Sequence, residues 1–183
     1  MKPITTYNRL FSTLAVLLSL CGAEAQTAPA LPRLVVNVMI DQLRSDYLEA
    51  FAPLFGERGF RRLMQEGYMY THAEYPFARP DRASATACLH SGTVPYDNGI
   101  PAERWLDRQS LRPIYCVDDK NCPGHLTAEN SSPLYLSVST IGDELKVATE
   151  GKGIVISVSP FRDAAILSAG HAADACFWLN DLT

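Results

Sequence analysis

Asp41 ends the apolar run Leu34-Val-Val-Asn-Val-Met-Ile40. If that run is a strand of an open α/β sheet, Asp41 stands at its carboxyl end, where such sheets build ligand sites. A carboxylate there is placed to hold a hard or borderline divalent cation; the bland alternative is a cap on the next helix. Arg82 stands just inside a later helical segment. A guanidinium beside the free N–H groups of a helix N-terminus can bind an oxyanion; otherwise Arg82 is a surface or ion-paired residue. Ser84 and Thr86 are the nearest hydroxyls, a half-turn and a full turn further along. Hydroxyls inside helices are more often structural than nucleophilic. His72, His90 and His125 have no partner spacing and read as ordinary residues.

The elements that must position these residues follow from pattern. Leu34–Ile40 is nearly continuous in apolar, β-branched residues, the mark of a parallel strand buried on both faces. Phe60, Leu63 and Met64 have helical spacing between Gly59 and Gly67, and Tyr68, Tyr70 and His72 alternate as a strand would. Pro80-Asp81 opens a helix through about His90, with Asp81 as N-cap, and Gly92, Pro95 and Gly99 punctuate the loop after it. Thr140-Ile-Gly-Asp143 is a capping box. Ile154–Val158 is a second buried-type strand, Ala175–Leu179 a third, and Asn180-Asp181 a turn. Strands alternating with helices predict an α/β fold with a largely parallel sheet flanked by helices.

The chain has 183 residues, 47% hydrophobic and 20% charged, with a net charge of −4. These are globular values, and an acidic chain lacks the basic surplus of a nucleic-acid binder. Nothing after the first 25 positions is long and apolar enough to span a membrane. Those 25 residues read as a signal peptide: basic Lys2 and Arg9, the short apolar core Leu10–Leu20, then Ala23-Glu24-Ala25 for cleavage. Its removal takes Lys2, Arg9 and Glu24 and leaves −5. Export to the periplasm or the extracellular space follows. Cys88, Cys116, Cys122 and Cys176 then remain in an oxidising compartment, where disulfides are allowed. Cys116 and Cys122 flank a polar loop and are the favoured pair, whereas Cys88 reads as a buried small hydrophobe. No Cys-x2-Cys spacing points to a cysteine zinc site.

Leu34–Tyr47 resembles the start of the phosphate-irrepressible alkaline phosphatases, members of the alkaline phosphatase superfamily close to the nucleotide pyrophosphatase/phosphodiesterases. Gly59-Phe-x-Arg-Leu-Met-x-Glu-Gly67, Ser91-Gly-Thr-Val-Pro95 with Gly99-Ile100, Thr140–Lys146 and Ala165–His171 resemble four more blocks, in order. The resemblance covers nearly all of residues 33–183. It implies an alkaline-phosphatase-like core, incomplete in this chain, with residues 26–183 as the N-terminal part of that domain. It further implies a phosphomonoesterase or phosphodiesterase acting on a small-molecule phosphate ester. Two zinc ions would assist a Thr nucleophile, while an Asn and a Lys-x-Arg pair hold the phosphoryl oxygens. Asp41 matches a metal ligand; most other ligands would lie beyond residue 183. His171 reads as structural rather than as a ligand.

The same resemblance predicts an altered site. Registered on Ser91-Gly92 and Ala165-Ile-Leu, the Thr position holds Arg82, the Asn position Glu103, the Lys position Phe161 and the Arg position Asp163. The charge moves by +1 at Arg82, −1 at Glu103, −1 at Phe161 and −2 at Asp163, or −3 altogether. Each lost charge-assisted hydrogen bond is worth roughly 1.5–3 kcal/mol, and phosphoryl transfer rests on positioning and electrostatics. Ser84 or Thr86 as substitute nucleophile, and Arg162 as a replacement for the lost Arg, are the remaining routes to catalysis. Pro80-Asp-Arg-Ala-Ser84 also resembles part of the sulfatase signature, but that register places Ala78 at the nucleophile. The expected protein is thus an exported metal-dependent hydrolase with altered site residues. The alternative is a degenerate member that binds an anionic or carbohydrate ligand.

Overall fold

The structure, a computed structural model, describes residues 31–179. The signal-peptide segment and the turn at Asn180-Asp181 lie outside the described residues. Two compact units divide at Leu34 and Val35, and the second contains every helix and strand given below.

The chain runs through α1 (Ser45–Ala50), a 3-10 turn (Ala52–Leu54) and α2 (Phe60–Glu66) before reaching α3 (Arg82–Ser91) and the single turn α4 (Pro95–Asn98). Strands β1 (Arg104–Leu106) and β2 (Pro113–Tyr115) pair antiparallel, as do β3 (Asp118–Pro123) and β4 (Asn130–Ser131). Then come α5 (Ile141–Ala148), β5 (Ile156–Val158), α6 (Arg162–Ala169) and β6 (Ala175–Phe177). β5 and β6 pair in parallel, Ile156 opposite Ala175, with α6 as the crossover that parallel neighbours require. The described part is therefore mixed α/β with small sheets, one of them parallel.

Local chemistry sets the helix ends. Asp81 Oδ1 accepts from Ser84 N at 2.8 Å while Ser84 Oγ takes the Asp81 N–H, a reciprocal box. α3 stops at Gly92, whose φ of +70° suits a residue without Cβ. Thr140 and Asp143 form the same box on α5, and Asp143 Oδ1 also accepts from Ala172 N at 2.7 Å. Gly170, at φ +80°, brings the end of α6 directly against this box. Small side chains let α3 and α6 approach closely: Ala83 and Ala87 on one, Ala165 and Ala169 on the other, are all fully buried. Ile100, Tyr115, Cys116, Val117, Leu136, Ile166 and Leu167 complete the core.

Three sequence expectations fail. Residues 34–40 pair with no strand among the described residues, and apart from half-buried Met39 their apolar side chains face solvent. An apolar run specifies a strand only where neighbours cover both faces, and the bonds seen here are to α3, through Asn37 and Met39. Tyr68 and Tyr70 stack edge-to-face on each other in open chain rather than in a strand. β5 exists, yet Ile156 and Val158 are exposed rather than buried.

The favoured Cys116–Cys122 disulfide also fails, since all four described cysteines are free. Cys116 is buried in the turn before β3, whereas Cys122 lies four residues along that strand from Asp118. The register against β4 shifts between Asp118 and Pro123, and Cys122 in that irregular stretch is exposed while Cys116 belongs to the core.

Candidate functional site

Arg82 is the first residue of α3, and three chain segments converge on its side chain. Its Nε donates to both carboxylate oxygens of Asp163 at 3.1 Å, from the first turn of α6. Its Nη2 reaches Glu103 Oε2 at 3.2 Å, from the residue before β1. The Phe161 ring lies 3.8 Å from the guanidinium carbon, a cation–π stack. The four positions singled out by the resemblance, scattered over the sequence, thus form one cluster.

Asp81 helps to hold it. While Oδ1 caps α3, Oδ2 accepts from Glu103 N at 2.6 Å, pinning Glu103 beside Arg82. Asp163 is completely buried and Arg82 mostly so. Burial alone would weaken Arg82's hold on its proton. The Asp163 hydrogen bond and charge, with Glu103 behind them, outweigh that and hold its pKa above the ordinary arginine value. Two neighbours register the acidic surroundings. Burial, then the Asp163 charge, pushes the Tyr115 phenol up to about 12, against the pull of Arg162. Burial, then Asp163, Glu103 and Asp81, pushes the Cys116 thiol up as well. The cluster is a guanidinium whose charge is already paired with two carboxylates.

The other candidates have prior commitments. Ser84 is fully buried in the capping box, its Oγ donating to Asp81 Oδ1 at 2.7 Å. Thr86 is fully buried too, and its Oγ1 donates back to Arg82 O at 2.6 Å. Arg162 turns away from Arg82 and clamps the β3–β4 hairpin: Nη1 donates to Ser131 Oγ at 2.9 Å, Nη2 to Asp118 Oδ1 at 3.0 Å, with Glu129 at 3.6 Å. Its guanidinium also covers the Tyr115 ring. Its guanidinium is committed to that hairpin. Nothing in the sequence signals Tyr115 or the second bond of Asp81; both depend on long-range placement.

Asp41 is exposed in the turn after residues 34–40, close enough for its charge to contribute to the raised Tyr75 pKa, after burial and Cys88. α3 links this turn to the Arg82 cluster. Thr86 Oγ1 touches Met39 Sδ at 3.5 Å, and His90 Nε2 accepts from Asn37 Nδ2 at 3.0 Å. His90 Nδ1–H donates to Thr86 O, which only accepts, so the ring is neutral. Among the described residues no group of three or more His, Cys, Asp or Glu side chains lies close enough to hold a metal ion. Asp41 on its own is one exposed carboxylate.

A profile of the family described as type I phosphodiesterase / nucleotide pyrophosphatase matches residues 35–180. The chain belongs to that family. Alkaline phosphatase PhoV of Synechococcus elongatus is 40% identical over 157 residues, covering 84% of this chain and 28% of PhoV. Alkaline phosphatase PafA of Elizabethkingia meningoseptica is 33% identical over 172 residues, covering 92% of this chain and 32% of PafA. The crystal structure of wild-type PafA superposes with a TM-score of 0.80 at 32% identity, over 84% of this chain and 31% of PafA. A PafA variant substituted at one threonine, one asparagine, one lysine and one arginine gives 0.76 at 31% identity, over 79% of this chain and 29% of that one. The chain therefore has part of the fold of an alkaline-phosphatase-type phosphoric ester hydrolase and spans under a third of these relatives' length. No helix among the described residues is long and apolar enough to cross a membrane.

Proposed function

We propose that this chain is the N-terminal part, from residue 26, of an exported alkaline-phosphatase-type hydrolase whose phosphoryl-binding site is altered. Phosphate monoesters would be poor substrates, and less charged esters better ones. The observation that carries this reading is the closed cluster of Arg82, Asp163, Glu103 and Phe161. The substitutions in the PafA variant supply support for the register. Its threonine and asparagine are 21 positions apart, as Arg82 and Glu103 are, and its lysine and arginine are two apart, as Phe161 and Asp163 are.

Such a monoester is close to dianionic at neutral pH. Glu103 and Asp163 present carboxylates where an asparagine and an arginine would donate hydrogen bonds, and Arg82 offers no nucleophilic oxygen. Ser84 and Thr86 keep their hydroxyls for α3, so they do not restore one. In the full-length protein, turnover of an aryl phosphate monoester should fall orders of magnitude below that of PafA, with the loss smaller for a diester. Arg82→Thr alone should recover nothing, because the clamp stays missing. The fourfold change Arg82→Thr, Glu103→Asn, Phe161→Lys and Asp163→Arg should recover turnover. Fast monoester turnover by the unmodified protein would overturn the reading.

Asp41 would provide one carboxylate to a zinc centre completed by residues outside this chain. Asp41→Ala in the full-length protein should lower bound zinc, read by metal analysis; unchanged zinc would make Asp41 a turn residue only. A second reading, binding of an anionic or carbohydrate ligand without turnover, is favoured by one fact: the Ser84 and Thr86 hydroxyls are both buried and already bonded, to Asp81 and to Arg82 O. Calorimetric binding of a phosphate diester without its hydrolysis would select it.

A further inference from the structure

Cys176 lies in β6 and Trp178 directly follows that strand. Both pack against the core patch that includes Tyr115, Cys116 and Val117, the residues leading into β3. Trp178 Nε1 donates to Glu129 Oε2 at 3.0 Å. Glu129 precedes Asn130, and Asn130 pairs with Pro123, the neighbour of Cys122. The turn end of the β3–β4 hairpin is thereby held beside Trp178, two residues from Cys176. Cys176 is pushed up mainly by burial, and next by the charge of Cys122. Cys122 is exposed and Cys176 partly so, and both are free.

We propose that Cys122 and Cys176 form a disulfide on contact with a small-molecule disulfide donor, stapling the β3–β4 hairpin to β6. The exposed Cys122 thiolate attacks one donor sulfur, breaking the donor S–S bond and releasing one donor thiol. Cys176, deprotonated, then attacks Cys122 Sγ in the mixed disulfide and expels the second donor thiol. Two protein S–H bonds are lost and one protein S–S bond is gained, while the donor S–S is reduced to two thiols. The link joins elements that the Glu129–Trp178 bond already brings together.

The test is peptide mapping of the full-length protein, purified reduced, incubated with glutathione disulfide and then alkylated after unfolding. A non-reduced peptide joining Cys122 to Cys176 is expected, with Cys88 and Cys116 alkylated. Cys122→Ser and Cys176→Ser should each abolish the link and free the other thiol. The oxidised wild type should melt at a higher temperature than the reduced form, a difference absent in either variant. Alkylation of both Cys122 and Cys176 after oxidation would overturn the proposal. So would a Cys116–Cys122 link, or Cys122 found only as its glutathione adduct. None of these outcomes depends on phosphoester turnover.

Discussion

Val36 and Val117 are the same residue type with opposite fates: the first is 70% exposed, the second fully buried. They stand for two regions. From Val35 to Arg79 no residue is buried, although the stretch is rich in apolar side chains; from Ala83 to Ala169 lies the whole described core. The second region supplies its own partners, because α3 and α6 meet through alanines and the hairpins close over them. The first leans on α3 through Asn37 and Met39. Burial here follows the supply of neighbours rather than the apolarity of the segment.

The strongest way to probe the dense region is to orphan its buried charge. Arg82→Ala leaves Asp163 with no counter-ion in the core, and removing one partner of such a pair costs roughly 3–5 kcal/mol. Replacing both, as Arg82→Met with Asp163→Leu, should recover most of that. Urea midpoints of the three proteins check it; a loss well under 1 kcal/mol for Arg82→Ala would make the cluster a surface pair.

Truncation contrasts the two regions directly. Leu167→Ala, from a fully buried site, should cost about 2–5 kcal/mol. Val36→Ala, in this chain alone, should stay within about 0.5 kcal/mol as an exposed site does. If Val36→Ala becomes costly in the full-length protein but not here, the apolar run has acquired the neighbours it lacks. Equal costs in this chain would erase the distinction between the regions.

The smallest effect lies at the seam. Burial, only partly offset by the bond to Thr86, lowers the His90 pKa below its ordinary 6.5. The folded state therefore binds this proton less readily than the unfolded chain. The contribution of neutral His90 is complete above about pH 6.5 and drains away as pH falls through the lower folded value. Thermal melts from pH 7.5 to 5 should show this decline, and His90→Gln should flatten it. A decline unchanged in that variant would assign the pH dependence to other groups.

How much could be read beforehand depended on distance along the chain. The Asp81 and Thr140 caps were legible because donor and acceptor lie three residues apart, within reach of local pattern. The Arg82 cluster was assembled only through the family resemblance, since no spacing rule joins residues 82, 103, 161 and 163. Residues 34–40 were misread as a buried strand because an apolar run records a need for neighbours without saying who meets it. The Cys116–Cys122 pairing failed because a six-residue interval does not say whether the chain turns back or runs on. Arg162 was misplaced for a similar reason: one residue of difference on α6 turns the side chain from the cluster to the hairpin.

Gly170 couples two helices at a point where neither has room to give. A Cβ there would collide with Thr140 Oγ1 and would fall 2.5 Å from Asp143 Oδ2, the atoms that cap α5. Any other residue at 170 must take a left-handed backbone and break the cap in the same step. Randomising this codon and selecting for folded protein should return glycine almost exclusively. Substitutions elsewhere on α5 can be sampled one at a time, but this junction admits change only by moving both helices together.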